Sequence, residues 1–360
     1  MDGTDPRRAL VFGASGLIGR WLVLELLDQG IDVVAAVRSE VSGTTLQQWL
    51  DEHRARGPAP LLLVDFERDD LGVDPADAAL AEVTEVYNLA GAYRFGMTAE
   101  EARHANVDGA RRVVELAARL GGLTRLVHLS GYRVGAHPGT AGAWDQERRA
   151  AAYARFGAYE ASKLESDAVV RARAAELGVP LTTVNPSTVI GHSETGETDQ
   201  RVGLATSVLD LAAGRLPALP GNRSTFVPVV SVDYLARFMA LLAPLPETEG
   251  QAYWVLDDAT PPLPELLTLI GGHLQVRVPR LRVPVWLVRL LPARVSRADP
   301  ETLSFMSSDR YPTEPARELA ERHGLAFPSV TDALTRWADH VVRPVGSDRD
   351  GRPRPGRILQ

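Results

Sequence analysis

The sequence predicts an α/β fold in which a doubly wound, parallel sheet is followed by a smaller, mostly helical domain. Strand-like apolar runs alternate with helical patterns through the first half of the chain, and the motifs rich in glycine or polar residues fall where the strands end. Such alternation is typical of a parallel sheet with helices on both faces and a ligand crevice at the carboxyl ends of its strands. After Pro186 the prolines cluster and helical patterns dominate, which indicates a second domain.

The predicted elements alternate regularly over the first 190 residues. Strands are expected at 10–12, 31–37, 61–64, 85–88, 125–130 and 181–185. Helices are expected at 17–29, 45–54, 99–120 and 159–177. Short extended segments at 225–230 and 253–256 are expected to return in part to the main sheet. The predicted domains are therefore 6–190, with returning segments near 225–257, then 191–345, then a disordered tail at 346–360.

Composition narrows the range of functions. A formal net charge of −7 argues against nucleic acid as a partner, and the absence of cysteine excludes disulfides and thiolate catalysis. The eight histidines show no ligand spacing, so no metal site is predicted. No apolar run approaches the ~20 residues that cross a bilayer. The polar N-terminus lacks the apolar core of a signal peptide, so a cytoplasmic location is expected.

A glycine triplet follows the first predicted strand. Gly13, Gly16 and Gly19 have the spacing Gly-x-x-Gly-x-x-Gly and lead into an apolar-periodic helix, which is followed by a second strand. Glycines at such a turn let the backbone lie close to a pyrophosphate at a helix N-terminus. The spacing differs from the Gly-x-Gly-x-x-Gly of ordinary dehydrogenases, but its strand–turn–helix context predicts a dinucleotide site in a Rossmann-type sheet.

Of the 39 basic residues, Lys163 alone is a lysine. It follows Tyr159 by four residues, so that both side chains share one face of the predicted helix. A compact ammonium serves some chemistry that a planar guanidinium cannot, and here it would stabilise the phenolate of a proton-donating Tyr159. Ser130, at the end of the fifth strand, is placed to hold a substrate oxygen. Asn106 either supports the active-site backbone or caps a helical turn.

Together, these ordered motifs resemble the extended short-chain dehydrogenase/reductase family over about residues 8–257, and more loosely to 342. Further matching segments lie at 65, 88–92, 106–109, 128–131 and 185–191. Within the family the chain looks most like the dihydroflavonol-type carbonyl reductases and the male-sterility-like fatty acyl and thioester reductases. It departs from the family pattern at Gly91, where alanine is usual, and at Gly131, where a small hydroxyl residue is common.

The resemblance also implies positions that bind a nicotinamide dinucleotide. Lys163 would contact the nicotinamide ribose, and Asp65 would contact the edge of the adenine. The remaining implied positions, besides the three glycines, are Ser15, Leu17, Ile18, Phe66, Leu89, Ala90, Gly91, Pro186, Thr188 and Val189.

The end of the second predicted strand indicates which dinucleotide is bound. An acidic residue there would accept hydrogen bonds from the ribose hydroxyls of NAD. This chain has Arg38 at that place, and Arg20 directly follows the third glycine. Two guanidiniums beside the adenosine ribose suit a 2′-phosphate, so NADP(H) is the predicted cofactor.

Several side chains just beyond the strand ends are candidate substrate ligands. These are Tyr93, Arg94, Tyr132, Arg133 and His192, with Thr188 beside them. The expected substrate is a small-molecule carbonyl or acyl compound. The insertion at 136–156, which contains Trp144, Arg148, Arg149 and Tyr153, is interpreted as a lid over the site.

Four functions remain open at the level of sequence. The first is NADPH-dependent reduction of a ketone or aldehyde of a small to medium metabolite. The second is reduction of an acyl-CoA or carrier-bound thioester, for which the arginines at 148, 149 and 155 hint at a docking surface. The third, an NAD-dependent nucleotide-sugar epimerase or dehydratase, is disfavoured by Arg38. The fourth, a non-catalytic NADP(H) sensor, is disfavoured by the intact Ser130, Tyr159 and Lys163. A homodimer is left open as the assembly.

Overall fold

The computed structural model describes residues 7–74, 76–92, 94, 96–134, 144–290 and 306–343. Within that part, the chain divides into two compact units. The first unit contains residues up to 187, 232–256 and 309–326, and the second contains 188–231, 257–308 and 327 onward. The predicted tail at 346–360 lies outside the described residues.

The strands are short and end close to the predicted positions. In chain order they are β1 (Arg8–Phe12), β2 (Asp32–Val37), β3 (Leu61–Leu63), β4 (Glu85–Asn88), β5 (Arg125–Leu129), β6 (Leu181–Pro186), β7 (Thr188–Ile190), β8 (Leu219–Pro220), β9 (Val229–Ser231), β10 (Ala252–Val255) and β11 (Arg282–Val283). The helices are α1 (Leu17–Asp28), α2 (Glu40–Glu52), α3 (Ala99–Arg103), α4 (Gly109–Ala117), α5 (Gln146–Phe156), α6 (Ala158–Leu177), α7 (Leu204–Ala212), α8 (Val232–Leu242), α9 (Leu263–His273), α10 (Val285–Leu290), α11 (Glu314–Arg322) and α12 (Val330–Val342).

The first unit is organised around a seven-stranded sheet with the order β10-β6-β5-β4-β1-β2-β3. Every pair in this sheet is parallel. The chain starts in β1, winds outward to β3, and then crosses back to β4 on the other side of β1. That reversal places the ends of β1 and β4 side by side, where doubly wound folds bind ligands. The predicted fold class is confirmed.

The core of the first unit lies between this sheet and its helices. Leu10 and Phe12 of β1, Leu126 of β5, and Val113 and Leu116 of α4 have no exposed surface. Strands buried on both faces read as continuous apolar runs, which is why the strands were visible in the sequence.

Helix α2 begins five residues before its predicted start. Ser39 caps the helix, because its Oγ accepts a hydrogen bond from the Ser42 backbone N–H at 3.2 Å and the Ser42 Oγ accepts one from the Ser39 backbone N–H at 3.2 Å. This reciprocal capping stabilises the first turn without the apolar periodicity on which the prediction rested. The predicted helix start at 45 was therefore wrong.

The predicted helix at 99–120 is interrupted. A wide, π-helical turn at His104–Asp108 separates α3 from α4, and α4 ends at Ala117. Single wide turns of this kind frequently mark functional positions.

The second unit has its own apolar core. It is formed mainly by α7, α9 and α12, whose side chains Leu211, Leu266, Ile270, Leu334 and Val341 are fully buried. Strand β9 pairs with β7 in this unit, so the segment at 225–230 does not rejoin the main sheet, whereas β10 does by pairing with β6. Among the described residues, no helix is both long and apolar enough to span a bilayer.

Candidate active site

The glycine loop is held tightly against its neighbours. Gly13 has a φ of +76°, and a Cβ there would lie 2.8 Å from the backbone carbon of Leu89 at the end of β4. A Cβ on Gly19 would lie 2.0 Å from the carbonyl oxygen of Gly13. Both positions therefore require glycine, and the loop is compact enough for a pyrophosphate to approach its backbone.

The middle of the glycine loop is open. Ser15 and Gly16 are exposed, Leu17 and Ile18 are partly exposed, and no side chain of the described residues caps α1 at Gly16. The backbone N–H groups of the first turn thus keep their capacity to bind an anion. This arrangement fits the diphosphate of a dinucleotide.

The two arginines proposed to select the cofactor lie in different surroundings. Arg38 is exposed at the end of β2, directly before the Ser39 cap of α2. The Arg20 guanidinium carbon lies 5.0 Å from the centre of the Trp49 ring, a cation–π contact. Arg20 is therefore held by an aromatic side chain that the sequence analysis did not single out.

Asp65 and Phe66 follow β3. The Asp65 carboxylate is exposed and accepts a hydrogen bond from the Glu67 backbone N–H at 2.9 Å. Phe66 packs edge-on against Phe12, with ring centroids 6.4 Å apart, and its carbonyl oxygen accepts a hydrogen bond from Arg112 at 2.6 Å. The side chain of Phe66 thus supports the core and its carbonyl oxygen is bonded to Arg112, so that contact with an adenine stays a prediction.

Asn106 joins the end of β4 to helix α6. The side chain is buried; its Oδ1 accepts a hydrogen bond from the Ala92 backbone N–H at 2.8 Å, and its Nδ2 donates to Ser162 Oγ at 2.9 Å. Ser162 Oγ in turn donates to the carbonyl oxygen of Tyr159 at 2.7 Å. Asn106 thus supports the backbone after β4, and the assignment of that backbone to an active site stays a prediction.

The wide turn at His104–Asp108 has a specific hydrogen-bond partner. The carbonyl oxygen of Asn106 accepts a hydrogen bond from Ser166 Oγ at 2.7 Å. Because the π-helical turn releases carbonyl groups from the regular helical ladder, it allows α6 to bond to the backbone as well as the side chain of Asn106. Sequence reasoning missed these two hydrogen-bond partners of Asn106, Ser162 and Ser166, although both share a face of α6 with Tyr159.

Gly91 lies directly beside Lys163. A Cβ at Gly91 would lie 2.9 Å from Asn106 Oδ1 and 3.7 Å from Lys163 Nζ. The departure from alanine at this position thus has a physical reason, because alanine would press on the Asn106 amide. A Cβ at Gly131 would make only ordinary contacts, 3.7 Å from Lys163 Cβ, so the second departure has no such reason.

The electrostatic surroundings of Lys163 are unusual for a lysine. Burial lowers the pKa of Lys163 to about 8, and the charge of Asp167, one turn further along α6, raises it in part. Burial also lowers the pKa of His128 on β5 to about 3, with the charges of Lys163 and Arg171 acting in the same direction. His128 is therefore neutral, and its Nδ1 lies 3.3 Å from Asn88 Nδ2. Lys163 therefore changes charge near pH 8.

Ser130 lies at the carboxyl end of β5 and is 4% exposed. Its backbone N–H donates to the carbonyl oxygen of Val184 on β6 at 2.8 Å, which fixes the residue in the sheet. Its Oγ is buried and has no hydrogen-bond partner among the described residues. Buried hydroxyls are normally paired, so Ser130 Oγ keeps the capacity to donate a hydrogen bond, and its role in holding a substrate oxygen stays a prediction.

Tyr132 and Arg133, two of the candidate substrate ligands, are engaged with other parts of the first unit. Arg133 Nε lies 3.2 Å from Glu160 Oε1, and both side chains are largely buried. The Tyr132 ring meets Tyr311 edge-on at 5.2 Å, and its carbonyl oxygen accepts a hydrogen bond from Trp254 Nε1 at 2.8 Å. These contacts hold the segment after Ser130 against α6 and β10, and a role in binding substrate stays a prediction.

The other candidate substrate residues, and the positions implied for the cofactor after β6, come from both units of the chain. Arg94 is exposed and lies 3.8 Å from Glu101. Thr188 and Val189 belong to β7 of the second unit. His192 lies in the following turn of the same unit, where its Nδ1 accepts a hydrogen bond from the backbone N–H of Glu194 at 3.2 Å. Pro186 is buried at the end of β6. Tyr93 lies outside the described residues.

The described part of the predicted lid, residues 144–156, contacts α6. Glu165 of α6, whose side chain is 1% exposed, pairs with Arg149 at 2.8 Å and Arg103 at 3.1 Å. It also accepts a hydrogen bond from the Tyr153 hydroxyl at 3.0 Å. Helix α5 is thus anchored by a buried carboxylate. The rest of the predicted lid, residues 136–143, lies outside the described residues.

Comparisons with known proteins agree on one family. A family model described as male sterility protein matches residues 11–239. The non-canonical nonribosomal peptide synthetase FrzA of Cladobotryum sp is 26% identical over 271 residues, 69% of this chain and 26% of that protein. The dihydroflavonol 4-reductase of Hordeum vulgare is 24% identical over 361 residues, 96% of this chain and 91% of that protein. The chain thus spans about a quarter of the length of FrzA.

The solved structures show the same fold. The terminal R domain from the myxalamid PKS-NRPS biosynthetic pathway superposes with a TM-score of 0.74 at 21% identity, covering 94% of this chain and 91% of that chain. The family model covers well over half of the chain and includes the glycine loop, Ser130 and the Tyr159/Lys163 helix. The chain therefore belongs to the male sterility protein family and, with it, to the extended short-chain dehydrogenases/reductases, an enzyme family of the oxidoreductase type.

Proposed function

We propose that this protein is an NADPH-dependent reductase of a ketone or aldehyde carbonyl on a small to medium metabolite. The observation that carries the proposal is the buried Ser130 hydroxyl, which has no hydrogen-bond partner among the described residues. Leaving such a group unsatisfied costs about 1–3 kcal/mol. A carbonyl oxygen that accepts a hydrogen bond from Ser130 removes that cost and is fixed at the carboxyl end of β5.

The proposed roles of the side chains are those that hydride transfer to a carbonyl requires. When bound, NADPH supplies the hydride that adds to the carbonyl carbon. Tyr159 donates its proton to the carbonyl oxygen, so that a carbonyl, a hydride and a proton give an alcohol. Lys163, charged below its pKa of about 8, stabilises the phenolate that remains on Tyr159. Asn106 holds both Ala92 and Ser162 and thereby fixes α6 against the end of β4.

The cofactor assignment rests on the two arginines beside the glycine loop. The open first turn of α1 suits the diphosphate, and Arg20 and Arg38 suit a phosphate on the adenosine 2′-oxygen. The positions implied by the family resemblance, from Ser15 to Val189, would line the rest of the dinucleotide. Asp65 would meet the adenine.

Cofactor binding and turnover test the proposal separately. The unmutated protein should bind NADPH at least about tenfold more tightly than NADH, and Arg38→Asp should remove about 1.4 kcal/mol or more of NADPH binding while leaving NADH binding unchanged. Ser130→Ala should keep NADPH binding and lose carbonyl reduction. A preference for NADH, or equal weakening of both cofactors by Arg38→Asp, would contradict the NADPH assignment and favour an epimerase or dehydratase.

A second candidate function is reduction of an acyl thioester. The sequence similarity to the nonribosomal peptide synthetase FrzA favours it. The same residues would then hold the thioester carbonyl, and hydride addition with loss of the thiol would give an aldehyde. Supplying an acyl-CoA, its free aldehyde and a ketone to the same preparation, and following NADPH absorbance and free thiol, separates the two. Release of thiol would favour thioester reduction, whereas turnover of the ketone or aldehyde alone would favour carbonyl reduction.

A further inference from the structure

Helix α6 carries a carboxylate in the row of side chains that faces the sheet. This row contains Lys163, Asp167, Val170 and Ala174, at the spacing of one helix face. Val170 and Ala174 belong to the apolar core that also contains Leu126 of β5. The position between Val170 and Lys163 suits an apolar residue, yet it holds Asp167, which is buried. Burying a carboxylate is costly unless other groups compensate for its charge.

Arg171 holds Asp167 from one turn further along α6. Arg171 Nε donates a hydrogen bond to Asp167 Oδ2 at 2.7 Å, and the Arg171 side chain is 34% exposed. The other carboxylate oxygen, Asp167 Oδ1, is buried and has no hydrogen-bond partner among the described residues. On this face of the helix, Asp167 therefore lies between two cationic side chains, Lys163 four residues before it and Arg171 four residues after it.

The charges around Lys163 are few. Burial lowers the pKa of Lys163, and the charge of Asp167 raises it in part. His128 of β5 is neutral, because burial and the charges of Lys163 and Arg171 lower its pKa. Tyr159 lies one turn before Lys163 on the same face of α6. The other described charged groups of α6 and of the elements packed against its start and middle pair with one another or with residues elsewhere: Glu160 with Arg133, Glu165 with Arg103 and Arg149, Asp108 with Arg103, His104 with Glu67, and Glu115 with Arg111 and Arg173.

We propose that Asp167 is a positioning residue whose carboxylate, held by Arg171, keeps the Lys163 side chain in its charged form beside Tyr159. The inference rests on the proposed function, in which that charge stabilises the Tyr159 phenolate. Removal from water favours the neutral form of an amine, and a nearby negative charge opposes this effect. With Asp167 in place, Lys163 keeps its proton up to about pH 8.

The contrary interpretation is that Asp167 only pairs with Arg171 and supports the packing of α6. Helix α8 offers a matched pair that separates the two interpretations. There, Arg237 donates a hydrogen bond to the buried Asp233 at 2.7 Å, again across four residues. A purely structural role predicts that loss of either aspartate lowers stability and leaves Lys163 unchanged. An electrostatic role predicts that loss of Asp167 alone changes the titration of Lys163.

Asp167→Asn, compared with Asp233→Asn and the unmutated protein, tests the proposal. Because Lys163 is the only lysine of the chain, labelling lysine with ¹³C at Cε gives one side-chain NMR signal, and its pH titration measures the pKa of Lys163 without turnover. We expect this pKa to fall by roughly one to two units in Asp167→Asn and to stay unchanged in Asp233→Asn. The upper limb of the kcat/KM profile against pH should move to lower pH by the same amount. Asp167→Glu, which keeps the charge, should restore most of the pKa and of the profile.

The NMR titration and the kcat/KM profile separate failure of the inference from failure of the proposed function. An unchanged pKa of Lys163 in Asp167→Asn, or an equal fall in Asp233→Asn, overturns the inference while the proposed function stands. A fall in the pKa without a shift of the kcat/KM profile contradicts the role proposed for Lys163 in the reaction, and with it the role of Asp167. Should Asp167→Asn fail to fold, Asp167→Ser removes the same charge with a smaller side chain and must show the same fall in pKa.

Discussion

The glycine loop after β1 and the inner face of α6 both serve the candidate active site, but they are built in different ways. The loop requires glycine, because Cβ atoms added at Gly13 and Gly19 would clash with backbone atoms. The face of α6 depends on side chains that are present, with Asn106, Ser162 and Ser166 linked by hydrogen bonds of 2.7–2.9 Å. A change in the loop should therefore act through steric clash and affect the fold, whereas a change on α6 should act on chemistry.

The largest expected effect is on the α6 face. Lys163→Arg preserves the positive charge but places a larger, planar group beside Gly91, where an added Cβ would lie 3.7 Å from the lysine Nζ. We expect turnover to fall by about 10²–10⁴-fold with little change in the melting temperature. Steady-state NADPH oxidation and thermal unfolding measure the two effects.

The control for this variant is Arg68→Lys, an exchange of the same two residue types at an exposed position. It should change neither turnover nor melting temperature. Near-normal turnover in Lys163→Arg would show that the single lysine of the chain is incidental to catalysis.

The second-largest effect is expected for a substitution in the glycine loop. Gly19→Ala puts a methyl group 2.0 Å from the Gly13 carbonyl oxygen, so backbone must move. Such overpacking costs about 1–3 kcal/mol, and we expect weaker binding of NADPH and NADH alike. Gly16→Ala is the matched control for stability, because its Cβ would lie 3.3 Å from the same oxygen. Urea unfolding should separate the two variants, and equal stability of the two would contradict the steric argument.

The loop could be predicted from the sequence for the same reason that its variants should be disruptive. A glycine often marks a backbone position where a Cβ would not fit, so Gly13, Gly16 and Gly19 indicated the turn and its place between a strand and a helix. The buried parallel strands were equally visible as apolar runs. The start of α2 was missed because Ser39 and Ser42 cap each other, and a serine pair is a weaker signal than apolar periodicity.

The supports of the α6 face could not be predicted. Ser162 and Ser166 are ordinary helix residues in the sequence, and their partner Asn106 lies 56 and 60 residues away along the chain. The same holds for Glu165, whose partners Arg103 and Arg149 come from two other helices. Such pairings depend on tertiary packing, and the local spacing of residues in the sequence does not indicate them.

The third prediction concerns the charge on the α6 face. Burial lowers the pKa of Lys163 to about 8, and the ammonium is charged below that pH and neutral above it. If the charge stabilises the Tyr159 phenolate, kcat/KM should be constant below pH 8 and fall about tenfold per pH unit above it. Cofactor binding measured over the same range is the control for indirect effects. A profile that stays flat to pH 10 would show that no group needed in its charged form titrates near pH 8.

The smallest effect is expected when the hydrogen bond that joins α6 to the wide turn is removed. Ser166→Ala removes the donor to the carbonyl oxygen of Asn106, a buried bond of 2.7 Å. The loss should cost about 0.5–1.5 kcal/mol of stability and, because Asn106 holds Ala92 and Ser162, lower kcat severalfold with KM nearly unchanged. Thr182→Val removes a buried bond of the same length, from Thr182 on β6 to the carbonyl oxygen of Thr248. This control should lose similar stability but keep its kcat. If both variants lower kcat equally, the bond between Ser166 and Asn106 contributes to stability alone, and the α6 face is less specialised than the comparison with the glycine loop implies.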